Sequence, residues 1–256
     1  MIKTYIVNLA SSTKRREYMQ NLLSPYKFLN VEFLNAVDGR KFTEKERDSQ
    51  FDMARCIKRY GRELSGGEIG CTLSHRKFYR ELLKSDQKYA LVFEDDIHPI
   101  RDISILEQFD LNKLLDTSTP TVLYLSGDYW FYKQNEPIVN VFSGLGTYAY
   151  MINRAAAQKI LSIDKPYNVA DDWLLYKSLG LKFKAIYPYV IDANLDMEML
   201  GSEVNQYSWG INRKKMSWSN ILHSYRTGII KRILKATGHF ESKIKVRDGQ
   251  IVPGLR

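Results

Sequence analysis

The chain has 256 residues, 44% of them hydrophobic and 12% aromatic, and a formal net charge of +9. A chain of this length and composition can bury a core of domain size, which excludes wholesale disorder. Its two cysteines, Cys56 and Cys71, are too few for a disulfide framework or a cysteine-rich zinc module. No apolar run approaches the roughly 20 residues of a membrane-spanning helix, so we expect a soluble, cytoplasmic chain.

The positive charge is concentrated at the C-terminus. Residues 213–256 contain 11 of the 38 Lys and Arg residues and only two acids, so residues 1–212 are neutral overall. This asymmetry predicts a globular domain over residues 1–212 and a basic segment over residues 213–256. Such a segment favours an anionic partner, either a phospholipid surface or a nucleic acid.

Apolar strands and amphipathic helices alternate along the domain. Strands are predicted over residues 3–9, 30–37, 89–93, 120–125 and 181–190. Helices are predicted over residues 14–23, 68–83, 153–162 and 171–179. The strand at 89–93 is a continuous apolar run, as is typical of a strand buried on both faces of a mainly parallel sheet. The order of elements predicts an α/β fold with helices flanking the sheet.

Three consecutive acids, Glu94, Asp95 and Asp96, follow that buried strand. Adjacent carboxylates repel one another, so folding alone gives no reason for them. Ligands bind at the carboxyl ends of strands in open α/β sheets, and carboxylates suit Mg²⁺ or Mn²⁺. If the backbone stays extended, Glu94 and Asp96 point to one side and Asp95 to the other. The alternative interpretation is a solvated acidic turn that caps a helix.

Three other positions have both a chemical and a structural interpretation. Asp171 and Asp172 start a predicted helix, where one of them could act as a general base and at least one is expected to cap the helix. Arg15 lies in the first turn of its helix, where a positive charge costs stability unless it meets an anion.

Six segments together resemble the family 25 glycosyltransferases, bacterial enzymes that extend lipopolysaccharide or lipooligosaccharide and have relatives that galactosylate collagen. The matching segments are Ile6-Val7-Asn8-Leu9, Lys14-Arg15-Arg16-Glu17, Asn35-Ala36-Val37-Asp38-Gly39, residues 64–75, Val92-Phe93-Glu94-Asp95-Asp96 and residues 146–150. Within residues 64–75, the run Gly-Glu-Ile-Gly-Cys-Thr-Leu-Ser-His is the most specific part.

The resemblance implies a GT-A-like fold, with a Rossmann-type, mainly parallel sheet, and an inverting β-galactosyltransferase that uses UDP-galactose and Mn²⁺ (or Mg²⁺). Glu94 and Asp96 would then hold the metal, and Asp95 the ribose or sugar of the donor. The residues implied to line the uridine pocket are Asn8, Arg15, Ala36 and Asp38. The residues implied to face the donor from the long helix are Glu68, Ser74 and His75. One of Asp171 and Asp172 would be the catalytic base.

The implied acceptor is a glycan on a lipid carrier. The basic segment contains a predicted helix with apolar residues on one side, namely Ile221, Leu222, Tyr225, Ile229 and Ile233. We therefore expect it to bind the anionic inner face of the cytoplasmic membrane, or else to pack on the domain with a solvated basic face.

Two other functions are considered. One is a metal-dependent phosphohydrolase that acts on nucleotide-type substrates through the acidic triplet. The other is a nucleic-acid-binding module that uses the basic segment. A nucleic-acid partner is not expected, because residues 1–212 are neutral and contain no recognition motif.

Overall fold

A computed structural model describes residues 1–127, 129–131, 136–193, 216–237, 240–241, 244–247 and 250–253. The strands are β1 Ile2–Asn8, β2 Leu29–Asn35, β3 Tyr89–Glu94, β4 Ile97–Pro99, β5 Thr121–Tyr124, β6 Tyr129–Phe131, β7 Ile138–Gly144, β8 Ala149–Asn153, β9 Lys182–Ile186, β10 Ile191–Ala193, β11 Phe240–Glu241, β12 Ile244–Arg247 and β13 Gln250–Pro253. The helices are α1 Thr13–Leu23, α2 Glu44–Gln50, α3 Met53–Tyr60, α4 Gly66–Lys84, α5 Leu111–Leu114, α6 Arg154–Leu161, α7 Trp173–Ser178 and α8 Trp218–Ala236. Short 3₁₀ helices cover Gly39–Lys41 and Ile103–Gln108.

Nine strands form the central sheet, in the order β11-β6-β7-β9-β5-β8-β3-β1-β2. Strand β1 is parallel to β2 and β3, and β5 is parallel to β9, whereas β8 runs antiparallel between β3 and β5. Taken over all the pairings in the described sheet, six strands run in one direction and β7, β8 and β11 run in the other. The predicted α/β architecture, a sheet in which most strands run in one direction and helices flank both faces, is confirmed.

The predicted element ends lie within two residues of the observed ones, except at the end of β9. Strand β9 ends at Ile186, before the predicted end at 190, and helix α7 begins at Trp173, after the two acids that precede it. The predicted boundary between residues 212 and 213 lies outside the described residues, so the division into a domain and a basic segment stays a prediction.

The two faces of the sheet bury separate apolar cores. Helices α4, α6 and α7 cover one face, where Phe78 and Trp173 are buried, and helices α1 and α5 cover the other, where Met19 is buried. Because successive residues of a strand point to opposite faces, Val92 joins the first core and Phe93 the second. With both faces covered, polar groups of β3 can reach solvent only at its ends.

Helix α4 begins in close contact with the segment that follows β2. A Cβ atom on Gly70 would lie 2.5 Å from the carbonyl oxygen of Val37 and 2.8 Å from the amide nitrogen of Gly39. One turn later, the Ser74 hydroxyl accepts a hydrogen bond from the Val37 amide at 2.8 Å and donates to the Gly70 carbonyl at 2.6 Å. Gly70, the second glycine of the Gly-Glu-Ile-Gly run, therefore permits close backbone contact between α4 and residues 37–39, and the Ser74 hydrogen bond stabilises this contact. A role for Ser74 in facing the donor stays a prediction.

We expect Gly70→Ala to lower the free energy of unfolding by about 1–3 kcal/mol, because the added methyl group overpacks this contact. Gly228→Ala is the control, since no atom lies within 4 Å of a Cβ at that position in α8. It should raise stability by up to about 1 kcal/mol through helix propensity. Urea denaturation measures both, and equal effects would contradict the close-contact explanation.

Candidate active site

The acidic triplet stands where β3 ends and the chain turns towards β4. Strand β3 ends at Glu94, and Asp95 and Asp96 form the turn. Arg15 Nη1 lies 2.9 Å from Asp95 Oδ1 and 3.2 Å from Asp96 Oδ2, so both carboxylates face one guanidinium group. The extended backbone that would point Asp95 away from Asp96 is not present, because the chain turns at these two residues.

Arg15 is buried in the first turn of α1, where no acidic residue is present to oppose the helix dipole. The carboxylates of Asp95 and Asp96 offset the unfavourable interaction of Arg15 with the helix dipole. They are the anion that the sequence predicts beside a positive charge in the first turn. Asp95 is held on both oxygens, because Asn8 Nδ2 donates to its Oδ2 at 2.7 Å. Asn8, Arg15 and Asp95 thus form one buried cluster, and their contacts with a donor stay predictions.

Asp96 differs from Asp95 in having a buried oxygen, Oδ1, without a hydrogen-bond partner among the described residues. Burial, followed by the charges of Glu94 and Asp95, raises the pKa of Asp96 to about 7. An orphaned carboxylate oxygen beside two other acids is a site where a cation would relieve both desolvation and repulsion. The orphaned Asp96 oxygen therefore fits a cation, and the assignment of a divalent metal ion to Glu94 and Asp96 stays a prediction.

Glu94 is also part of a polar network beneath the sheet end. Its Oε1 accepts a hydrogen bond from the Thr147 hydroxyl and lies 3.4 Å from His75 Nε2. Burial acts to raise the pKa of Glu94, but His75, Thr147 and Arg15 together outweigh it and hold this pKa below its ordinary value. On its other side, His75 Nδ1 hydrogen-bonds the Tyr150 hydroxyl at 2.8 Å. The surroundings of Glu94 therefore favour its ionised form, and the Thr147 hydroxyl orients it.

Cys71 and Thr147 belong to this site, although neither was singled out from the sequence. Cys71 Sγ lies 3.8 Å from Thr147 Oγ1. The ligand atoms of Cys71, His75 and Glu94 all lie within 4.8 Å of one another, so these three residues could hold a metal ion. The four-residue spacing of Cys71 and His75 on one helix was the available indication for Cys71.

The two acids before α7 have different environments. Asp172 accepts hydrogen bonds from Arg59 Nη2 at 2.8 Å, from the Tyr60 hydroxyl, and from the Leu175 amide at 3.1 Å, where it caps α7. Asp171 accepts one from the Gly146 amide at 2.9 Å and forms no ion pair within the described part of the chain. Burial raises the pKa of Asp171. Asp172 is thus committed to capping and to an ion pair, and Asp171 is the better candidate for a base.

The other residues assigned to the donor pocket are largely engaged in local contacts. Asp38 accepts hydrogen bonds from Arg40 Nε at 2.7 Å and Nη2 at 2.9 Å, which lower the pKa of Asp38. Glu68 forms an ion pair with Arg62 at 2.5 Å and completes the capping box of α4. Ala36 donates its amide to the end of β1 at 2.9 Å. Roles for Ala36, Asp38 and Glu68 in donor binding stay predictions.

The fold and the site define an α/β protein with a carboxylate cluster at the end of a buried parallel strand, where ligands bind in sheets of this kind. A family model described as "Glycosyltransferase family 25 (LPS biosynthesis protein)" matches residues 1–175. The chain belongs to glycosyltransferase family 25.

Relatives of this chain come from bacteria and animals. A Haemophilus influenzae protein described as "Putative glycosyltransferase" is 27% identical over 189 residues, covering 70% of this chain and 64% of that protein. A "Glycosyltransferase 25 family member" of Aedes aegypti is 38% identical over 96 residues, covering 36% of this chain and 16% of that protein. Danio rerio "Procollagen galactosyltransferase 1" is 28% identical over 98 residues, with 37% and 16% covered. The chain thus spans under two thirds of the bacterial relative and about a sixth of these animal ones.

The raised pKa of Asp96 predicts a pH-dependent stability in the presence of a chelator. Between its unfolded pKa near 4 and its folded pKa of about 7, the folded state binds the extra proton, so stability falls as pH rises through this window. Asp96→Asn should therefore stabilise the protein more at pH 8 than at pH 5, by at most about 3 kcal/mol.

Urea denaturation in EDTA at the two pH values measures this difference. Glu17→Gln, which changes an exposed acid of α1, is the control and should show no such difference. If Asp96→Asn changes the free energy of unfolding equally at both pH values, the pKa of Asp96 is not raised in the folded state.

Proposed function

We propose that the protein is an inverting, metal-dependent glycosyltransferase that moves galactose from UDP-galactose to a lipooligosaccharide or lipopolysaccharide acceptor. The observation that carries this proposal is the orphaned, buried Asp96 carboxylate oxygen beside Glu94, at the end of a strand in a family 25 chain. The family description supports a lipopolysaccharide acceptor, and the name of the Danio rerio relative supports galactose.

In this proposal Glu94 and Asp96 hold Mn²⁺ (or Mg²⁺). When bound, such an ion stabilises the negative charge that develops on a departing nucleotide diphosphate. Arg15 and Asn8 keep Asp95 in place, and Arg15 also fixes one oxygen of Asp96. The protein therefore arranges the acidic turn before any donor binds, so that little reorganisation is needed on binding.

The proposed base is Asp171. An acceptor hydroxyl is a weak nucleophile at neutral pH, and a carboxylate within hydrogen-bond reach removes its proton as the new bond forms. The buried position of Asp171 raises its pKa and so makes it a stronger base than an exposed aspartate. Inversion takes a single displacement at the anomeric carbon, so one base suffices and no covalent enzyme intermediate forms.

Asp171→Asn should lower turnover by about 10²–10⁴-fold, leave donor affinity nearly unchanged, and not lower the free energy of unfolding, because it removes a buried charge. Asp172→Asn should mainly destabilise the protein, because it weakens the contacts with Arg59 and Tyr60. Calorimetric titration with UDP-galactose, urea denaturation and a turnover assay separate these effects. Full turnover in a folded Asp171→Asn protein would place the base elsewhere.

The proposed function is tested by incubating the chelator-treated protein with Mn²⁺ and a panel of UDP-sugars, with and without deacylated lipooligosaccharide. We expect UDP release from UDP-galactose that requires the metal and increases with the acceptor. Asp96→Ala should abolish the metal stimulation, and Asp86→Ala, at an exposed acid, should not. Nucleotide release that no acceptor increases would favour the phosphohydrolase alternative.

We also propose that the C-terminal segment places the enzyme on the anionic inner face of the cytoplasmic membrane. No helix in the described ranges is long and apolar enough to span a bilayer. Helix α8 instead presents an apolar stripe, in which each side chain is at least 55% exposed, formed by Trp218, Leu222, Tyr225, Ile229 and Ile233. These positions recur at helical spacing, and the exposed Arg226 and Arg232 lie on either side of them. An amphipathic surface of this kind suits a layer of anionic headgroups.

Leu222→Asp should weaken binding to vesicles of phosphatidylglycerol and phosphatidylethanolamine at least tenfold, because it puts a negative charge into the apolar stripe. Ser219→Asp, which makes the same charge change on an exposed residue of α8 outside the stripe, should have a much smaller effect. Vesicle co-sedimentation at low and high salt measures the binding. Equal binding by the wild type and Leu222→Asp would refute membrane attachment through this face.

A further inference from the structure

A second set of metal-ligand types lies beside the acidic turn. Cys71 and His75 are one helical turn apart on α4, which places them on the same face, and Glu94 approaches from the end of β3. Their ligand atoms lie within 4.8 Å of one another. Thiolate, imidazole and carboxylate are the three side-chain ligands of zinc, and a thiolate favours a softer ion than Mn²⁺ or Mg²⁺.

The spacing of His75 and Glu94 suits a shared ion better than a hydrogen bond. Nε2 of His75 lies 3.4 Å from Glu94 Oε1, and this buried nitrogen has no hydrogen-bond partner in the described structure. Nitrogen and oxygen ligands of a tetrahedral zinc ion lie roughly 3.4 Å from each other. The Cys71 thiol would have to approach by at most about 1 Å to complete such a set.

The orientation of the His75 ring is fixed through its other ring nitrogen, Nδ1. Its Nδ1 hydrogen-bonds the Tyr150 hydroxyl at 2.8 Å, and that hydroxyl contacts the Tyr79 hydroxyl at 2.7 Å. Metal-binding histidines are held in this way through their second nitrogen. Whereas His75 is 1% exposed, the Glu94 side chain is 23% exposed, so the cluster has a side open to solvent through which an ion can enter.

We propose that Cys71, His75 and Glu94 bind a thiophilic divalent cation of the zinc class, at a site separate from the oxygen ligands of Asp96. Since both sites use Glu94, an ion held by Cys71 and His75 removes a carboxylate from the site proposed for Mn²⁺. Zinc is therefore expected to inhibit transfer competitively with Mn²⁺, a consequence that rests on the proposed function.

Cobalt titration of the reduced, chelator-treated full chain tests the site directly, because a Co²⁺–thiolate bond gives a charge-transfer absorption band in the near ultraviolet. We expect this band in the wild type, at one Co²⁺ per chain, and its loss when Zn²⁺ is added. It should be absent in Cys71→Ser and present in Cys56→Ser, which changes the buried cysteine outside the cluster. It should also be present in Asp96→Asn.

Absence of the band from the wild type, its persistence in Cys71→Ser, or its loss in Cys56→Ser or Asp96→Asn would overturn the proposal. If Cys71→Ser does not fold, alkylation of the wild type by iodoacetamide provides the test: Zn²⁺ should slow labelling of Cys71 at least tenfold, and unchanged labelling overturns the site. Manganese-dependent UDP release is measured on the same preparation. Missing cobalt absorption with intact UDP release refutes this site alone, and the reverse result refutes the proposed function alone.

Discussion

The candidate site depends on one buried ion cluster, in which Arg15 neutralises the turn formed by Asp95 and Asp96. Three adjacent acids at the end of a covered strand repel one another and lose their hydration. Arg15 and Asn8 offset part of these costs at Asp95, where burial still raises the pKa, and Arg15 contacts only one oxygen of Asp96. The compensation is therefore incomplete at Asp96, and this residual charge is what makes the turn suited to a cation.

The sequence predicted five of the nine strands described in the sheet, namely β1, β2, β3, β5 and β9, because buried parallel strands are continuous apolar runs bounded by polar residues. The apolar run at 89–93 forms strand β3, which pairs with β1 on one side and with β8 on the other. The acids that follow it lie in the candidate active site. The antiparallel insertion of β8 between β3 and β5 was not predicted, since strand order depends on tertiary packing that periodicity does not encode.

Within the site, sequence reasoning identified residue types better than their contacts. It left Asp171 and Asp172 unresolved, because the partners that distinguish them, Arg59 and Tyr60, are more than a hundred residues away. It also left open whether the acids continue the strand or form a turn, because a turn set by Arg15 leaves no local pattern. Cys71 was passed over for the same reason: its neighbours Glu94 and Thr147 are distant in sequence.

The loop between β7 and β8 has a consequence for how the two acidic centres are spaced. Its residue Gly146 has a φ of +74°. The Gly146 amide donates a hydrogen bond to Asp171, and the Gly146 carbonyl accepts one from the Trp173 indole. The hydroxyl of the adjacent Thr147 donates a hydrogen bond to Glu94. These two neighbouring residues thus fix the separation between Asp171, the proposed base, and Glu94, a proposed metal ligand. An insertion in this loop would displace Asp171 and Glu94 together. We therefore expect differences in acceptor preference among related proteins to arise at other surface positions.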